Sequence, residues 1–120
     1  MSKEQVQYET VIPCQDRTTR DWYAWINKIP PKPDDRHVVG EIEVPNPGVF
    51  AVLTKKVPQG INPKILLLDL FLIQKPGIWP QVITAIQVRF DAIVTGNVYE
   101  EVNIFCAGDD LVRIPVEEVS

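Results

Sequence analysis

Serine is almost missing from this chain: it stands only at Ser2 and Ser120, the two ends. A serine nucleophile held by a histidine base in a folded site is thereby effectively excluded. Histidine is scarcer still, with His37 alone. Zinc sites need several nitrogen or sulfur ligands gathered together, and the chain offers one histidine and two distant cysteines, Cys14 and Cys106. No metal site and no cofactor is expected. Neither a phosphate-binding glycine loop nor a dinucleotide fingerprint occurs.

Basic stretches are equally scarce. Lys55-Lys56 is the only adjacent Lys/Arg pair, and on a strand its members point to opposite faces. With a net charge of −4, nucleic acid and anionic membrane are not expected partners, because both demand a basic surface. No apolar run reaches the roughly 18 residues of a membrane-spanning helix, and the polar start Met1-Ser2-Lys3-Glu4-Gln5 lacks the apolar core of a secretion signal. These features, with two cysteines in no paired motif, point to a cytoplasmic protein with reduced thiols. A Cys14–Cys106 disulfide would require an oxidising compartment. Cys106 reads instead as a small core hydrophobe.

What the chain does hold is a set of short apolar runs punctuated by eleven prolines. The most apolar is Ile65-Leu66-Leu67-Leu68-Asp69-Leu70-Phe71-Leu72-Ile73-Gln74, bounded by Asn62-Pro63 and Lys75-Pro76-Gly77. Its length and its breakers predict a strand rather than a helix. Leu66, Leu68, Leu70 and Leu72 share one face; Ile65, Leu67, Asp69, Phe71 and Ile73 share the other. A strand apolar on both faces needs cover on both, from a second layer or from a second copy of the chain, so a homodimer is expected. Asp69 needs a counter-ion in such a setting, and Arg89 on the following strand is the expected partner.

Around it the chain reads as alternating strands. The start, Gln5 to Ile12, suits a short edge strand. Asp16 to Lys28 fits either a short helix or a strand carrying Trp22, Ala24 and Ile26 on one face. Val38, Gly40, Ile42 and Val44 alternate with His37, Val39, Glu41 and Glu43. Pro45-Asn46-Pro47-Gly48 has turn chemistry and leads into a strand from Val49 to Val57. Val82, Thr84, Ile86, Val88, Phe90, Ala92 and Val94 give the clearest alternation, and Thr95-Gly96-Asn97-Val98 reads as a tight hairpin turn into Val98 to Cys106. A last strand holds Val112, Ile114 and Val116, with Pro115 marking an edge. About seven strands with turn signals every 8–12 residues or so predict a single all-β domain spanning residues 1–120. An immunoglobulin-like or related antiparallel β-sandwich is expected, with a small closed β-barrel as the alternative.

Function is less specified. In an antiparallel fold successive loops alternate ends, so the turn at Asn46, the loop carrying Trp79 and the turn carrying Asp109 and Asp110 should gather at one end. Asn46, Trp79, Asp109 and Asp110 are therefore the candidate ligand-binding residues, since loops on a rigid scaffold often carry function. The competing account makes Trp79 a plug over the end of the fold. No catalytic residues are assigned. The chain reads first as a non-enzymatic binding or interaction module that self-associates. Second comes a binder of a small sugar or peptide at the Trp79 end, and a carboxylate-based enzyme is the third alternative.

Overall fold

In the computed structural model, which describes residues 8–96 and 98–119, every regular element is a strand. There are eight among the described residues: β1 (Thr10–Ile12), β2 (Thr19–Asn27), β3 (Asp35–Val44), β4 (Val49–Lys55), β5 (Ile65–Gln74), β6 (Thr84–Ile93), β7 (Glu101–Cys106) and β8 (Asp109–Val119). No helix among them is long and apolar enough to cross a membrane. Gln5, Val6 and Gln7 of the expected first strand, and Asn97 of the expected hairpin, lie outside the described residues.

The central strand is β5, and it has three partners. β4 lies antiparallel along one edge from Leu68 to Gln74. The other edge is shared: β7 runs parallel to Ile65–Leu70, and β1 runs antiparallel to Leu72–Gln74. From β7 the sheet continues through β8, β2 and β3 to β6. The result is a curled mixed sheet, a half-barrel. The all-β expectation holds, but β5–β7 and β2–β8 are parallel pairs, so the purely antiparallel arrangement is corrected.

Local chemistry explains most of the elements. On β5 the inward leucines Leu66, Leu68, Leu70 and Leu72 are almost fully buried, while Phe71 on the other face is 39% exposed. Along β3, Val38, Gly40, Ile42 and Val44 face the core in strict alternation. The ambiguous segment is strand β2, not helix. Asp16 and Asp21 hold positive φ (62° and 60°), which a helix does not admit. Trp22 lies over Gly40 so closely that a Cβ there would enter the indole.

Three further expectations are corrected. β6 and β7 do not form a hairpin: β7 has β5 and β8 on its two edges, and among the described residues β6 pairs only with β3. Pro115 is not on an edge strand either. It sits opposite Glu101 on β7, one residue before β8 begins pairing with β2 at Val116, where the ladder changes partner and a missing N–H does least harm. The thiols, finally, are not free: Cys14 and Cys106 form a disulfide across a Cα–Cα distance of 6.0 Å, and both are buried. It ties the end of β7 to the segment after β1. The cytoplasmic expectation leaned on reduced thiols, and a buried disulfide removes that support.

Candidate functional site

The three loops expected at one end do leave the same end, because the two parallel pairs keep β3, β5 and β7 pointing the same way. Their side chains do not converge. Asn46 is buried, and its amide is spent internally. Its Oδ1 accepts from the Gly48 N–H (2.9 Å) and from Gln74 Nε2 (3.0 Å), and its Nδ2 donates to Gln74 Oε1 (2.8 Å). Trp79 is half-buried; its ring covers Gly48, where no Cβ would fit, and its Nε1 donates to the Lys75 carbonyl (3.0 Å). Asp109 and Asp110 are exposed and lie apart from this pair. β7 ends opposite Leu70 rather than Gln74, which sets them back by about 13 Å at the rise of an extended chain.

Asp69 and Arg89 do not meet. β5 and β6 belong to opposite halves of the curl, and each charge has another partner. Lys56 Nζ reaches Asp69 Oδ1 (3.4 Å) and lies over the Phe105 ring (5.2 Å to its centre). Arg89 Nε binds Asp91 Oδ2 (2.8 Å). Asp91 also meets His37 Nδ1 (2.5 Å), and His37 Nε2 meets Asp35 Oδ2 (2.7 Å). Trp25 packs on the His37 ring and Tyr23 stacks on Trp25, at centre distances of 4.9 and 5.3 Å. Burial pushes the Asp91 carboxyl up, but hydrogen bonds from His37 and Arg89 and their charges outweigh it and hold the group below its ordinary range. This cluster braces the outer face of β2, β3 and β6.

The more informative chemistry is at the opposite end of the half-barrel. There the start of β3 meets the last residues of β4 and β6 around a cavity of about 280 Å³, lined by Arg36, Lys55, Ile93, Thr95, Gly96 and Tyr99. Arg36 occupies the inward parity of β3, two residues before Val38, and is only 6% exposed. Lys55 takes the inward parity of β4, in step with buried Val49 and Leu53. Buried Tyr99 presents its ring beneath the Arg36 guanidinium, 4.6 Å from centre to Cζ, a cation–π contact that helps keep the charge in place. Burial lowers the Arg36 pKa, opposed by electrostatic attraction to Tyr99; a guanidinium nevertheless remains a cation at neutral pH.

Two cations and a threonine therefore line this cavity, and among the described residues no carboxylate lines it. Lys55 makes no ion pair among the described residues. Such a pocket favours an anion, because fixed positive charge in a partly desolvated concavity attracts negative charge more strongly than an open surface does. The chain matches no protein-family model, no curated protein and no solved structure. A separate apolar cleft of about 270 Å³ lies by the disulfide, against Val11, Pro13, Leu70 and Phe71; it gathers no charged side chain.

Sequence reasoning passed over Arg36. The signal was present: the alternation through Val38, Gly40, Ile42 and Val44 extends back to it, placing a guanidinium on the core face. Lys55 was legible in the same way, as the inward member of Lys55-Lys56.

Proposed function

We propose that this protein is a non-enzymatic binding module whose ligand presents an anionic group, carboxylate or phosphate, to the cavity of Arg36, Lys55, Thr95 and Tyr99. The position of Lys55 carries the reading: it makes no ion pair among the described residues and borders a cavity at the end of the half-barrel. The guanidinium of buried Arg36 adds a second positive charge to the cavity wall. Lys55 offers a mobile ammonium to an oxyanion, and Thr95 a hydroxyl.

Calorimetric titration with inorganic phosphate and with acetate tests it. Saturable binding of at least one is expected, weakening as salt rises and falling roughly tenfold or more in Lys55→Glu, a change at an exposed position. Equal weak heats in both proteins would contradict the reading, and the ratio of the two affinities separates phosphate from carboxylate ligands.

A second reading, self-association, is favoured by one observation. Across the outer face, Phe50 lies opposite Ile73, which lies opposite Val11, and Val52 lies opposite Phe71. Val11 is 68% exposed and Phe71 39%, so the row forms an apolar stripe suited to a second copy. Light scattering on the unaltered chain and on Phe71→Lys checks it: a dimer that becomes a monomer supports the reading, and a monomer throughout removes it.

A further inference from the structure

We infer that the anion met by Lys55 is the headgroup of a lipid, and that the loop joining β4 to β5 inserts its apolar tip into the bilayer surface beside it. The inference rests on the anion reading above, through Lys55 and Thr95, and adds a second feature of the same end of the half-barrel.

That feature is a loop whose apolar side chains face water while its polar ones turn inward. Between β4 and β5, Val57 and Ile61 stand almost wholly in solvent, 88% and 103% exposed. The Gln59 amide instead donates to the carbonyls of Lys56 (2.7 Å) and Leu67 (2.8 Å) and accepts from the Leu67 N–H (2.9 Å). It thereby stands in for a strand partner on β5 at the point where β4 ends. Asn62 Oδ1 accepts from the Lys64 N–H (3.0 Å). Pinned at both places, the loop presents Val57 and Ile61 on a fixed frame. The two other loops at this end add Ile29 and Val98, 50% and 58% exposed.

Charge sets this end apart from the other. Ile78, Val82 and Ile83 are exposed at the Trp79 end too, but there the β7–β8 turn brings Asp109 and Asp110, which an anionic surface repels. Here Lys55 and Lys56 precede Val57, and Lys64 follows Ile61. Asp69 and Glu100 hold Lys56 and Lys64 (3.4 Å each), and Lys55 makes no ion pair among the described residues. Apolar tips with lysines set behind them match a bilayer, whose acyl region takes aliphatic groups and whose phosphates lie above it. A protein partner would need a separate pocket for each side chain projecting from a separate loop; a fluid apolar layer needs none. The net charge of −4 belongs to the whole chain and does not oppose insertion of this one end.

The test mixes the full chain with vesicles of phosphatidylcholine, and with vesicles of phosphatidylcholine and phosphatidylserine in equal parts, and measures the bound fraction by flotation. The mixed vesicles should bind better, and added salt should narrow the difference. Val57→Ser with Ile61→Ser should weaken binding roughly tenfold or more. Lys55→Glu should remove the preference for anionic lipid, and Ile78→Ser, at the other end, should change nothing. All these side chains are exposed, so the variants should keep the far-ultraviolet dichroism of the unaltered chain. Ile61→Trp reports insertion directly: its emission should shift to the blue with vesicles and be quenched by brominated acyl chains. No binding to either vesicle, binding indifferent to the Val57 and Ile61 changes, an unaltered lipid preference in Lys55→Glu, or Ile61→Trp emission untouched by brominated lipid would overturn the inference. Phosphate or acetate that binds at Lys55 while no vesicle does would leave the anion reading standing and remove this one, with a protein as the remaining occupant of the tip. Failure of every anion and every vesicle would remove both.

Discussion

Trp79 and Gly48 show how one side chain is written into another position of the chain. The indole occupies the space a Cβ at residue 48 would take, so Gly48→Ala forces the ring aside. An overpacked site of this kind typically loses about 1–3 kcal/mol. Urea unfolding should show that loss, and acrylamide should quench Trp79 more strongly in the variant; an unchanged midpoint would contradict the packing described. Asp91 gives a prediction with a pH sign. Its folded pKa lies below the ordinary 3.8, so its contribution to stability is present above that value and is lost as the pH falls through the lowered folded pKa. Asp91→Asn should therefore be less stable than the unaltered protein near neutral pH, with the gap closing in strong acid. A gap independent of pH would rule that out. At this scale the sequence was partly legible. Alternation placed Leu66, Leu68, Leu70 and Leu72 in the core correctly, but it assigned Asp69 the wrong cation. Parity says which face a side chain takes, not which strand lies beside it, and Lys56 rather than Arg89 proved to be within reach.

Among the elements, β5 and the disulfide hold the half-barrel together. Leu68 is fully buried at the point where β5 pairs with both Lys55 on β4 and Ile104 on β7. Leu68→Ala should lower stability by about 2–5 kcal/mol in denaturant unfolding; a loss below half a unit or so would place the core elsewhere. The Cys14–Cys106 bridge closes a span of 92 residues, and removing such a bond typically costs about 2–5 kcal/mol. Cys14→Ala with Cys106→Ala should unfold earlier than the unaltered protein under oxidising conditions, and the two should converge in excess reductant. Identical curves in both conditions would mean that the bridge contributes nothing. Strand existence was legible from periodicity and breakers. Strand partnership was not, because the parallel pairs β5–β7 and β2–β8 join segments far apart in sequence, and no local pattern encodes them. The disulfide was missed for the same reason: Cys14 and Cys106 carry no motif, and only the pairing of β1 and β7 with successive stretches of one edge of β5 brings them together.

For the molecule as a whole, the curl leaves two unlike ends. At one, Asn46, Gln74, Gly48 and Trp79 close on themselves with their polar groups paired. At the other, Arg36, Lys55, Thr95 and Tyr99 surround an open cavity. Loop parity correctly gathered three turns at the first end, but turns that share an end need not share a site. The two cations of the cavity lie instead at strand ends, Arg36 at the start of β3 and Lys55 at the end of β4, where the inward parity that buries valine and leucine delivers charge to the rim. The most direct measurement is a two-dimensional nitrogen–proton NMR titration with phosphate and with acetate. Saturable shifts centred on Lys55, Thr95, Gly96 and Tyr99, lost in Lys55→Glu, are the predicted result. Shifts confined to the Trp79 end, or none that saturate, would contradict the account.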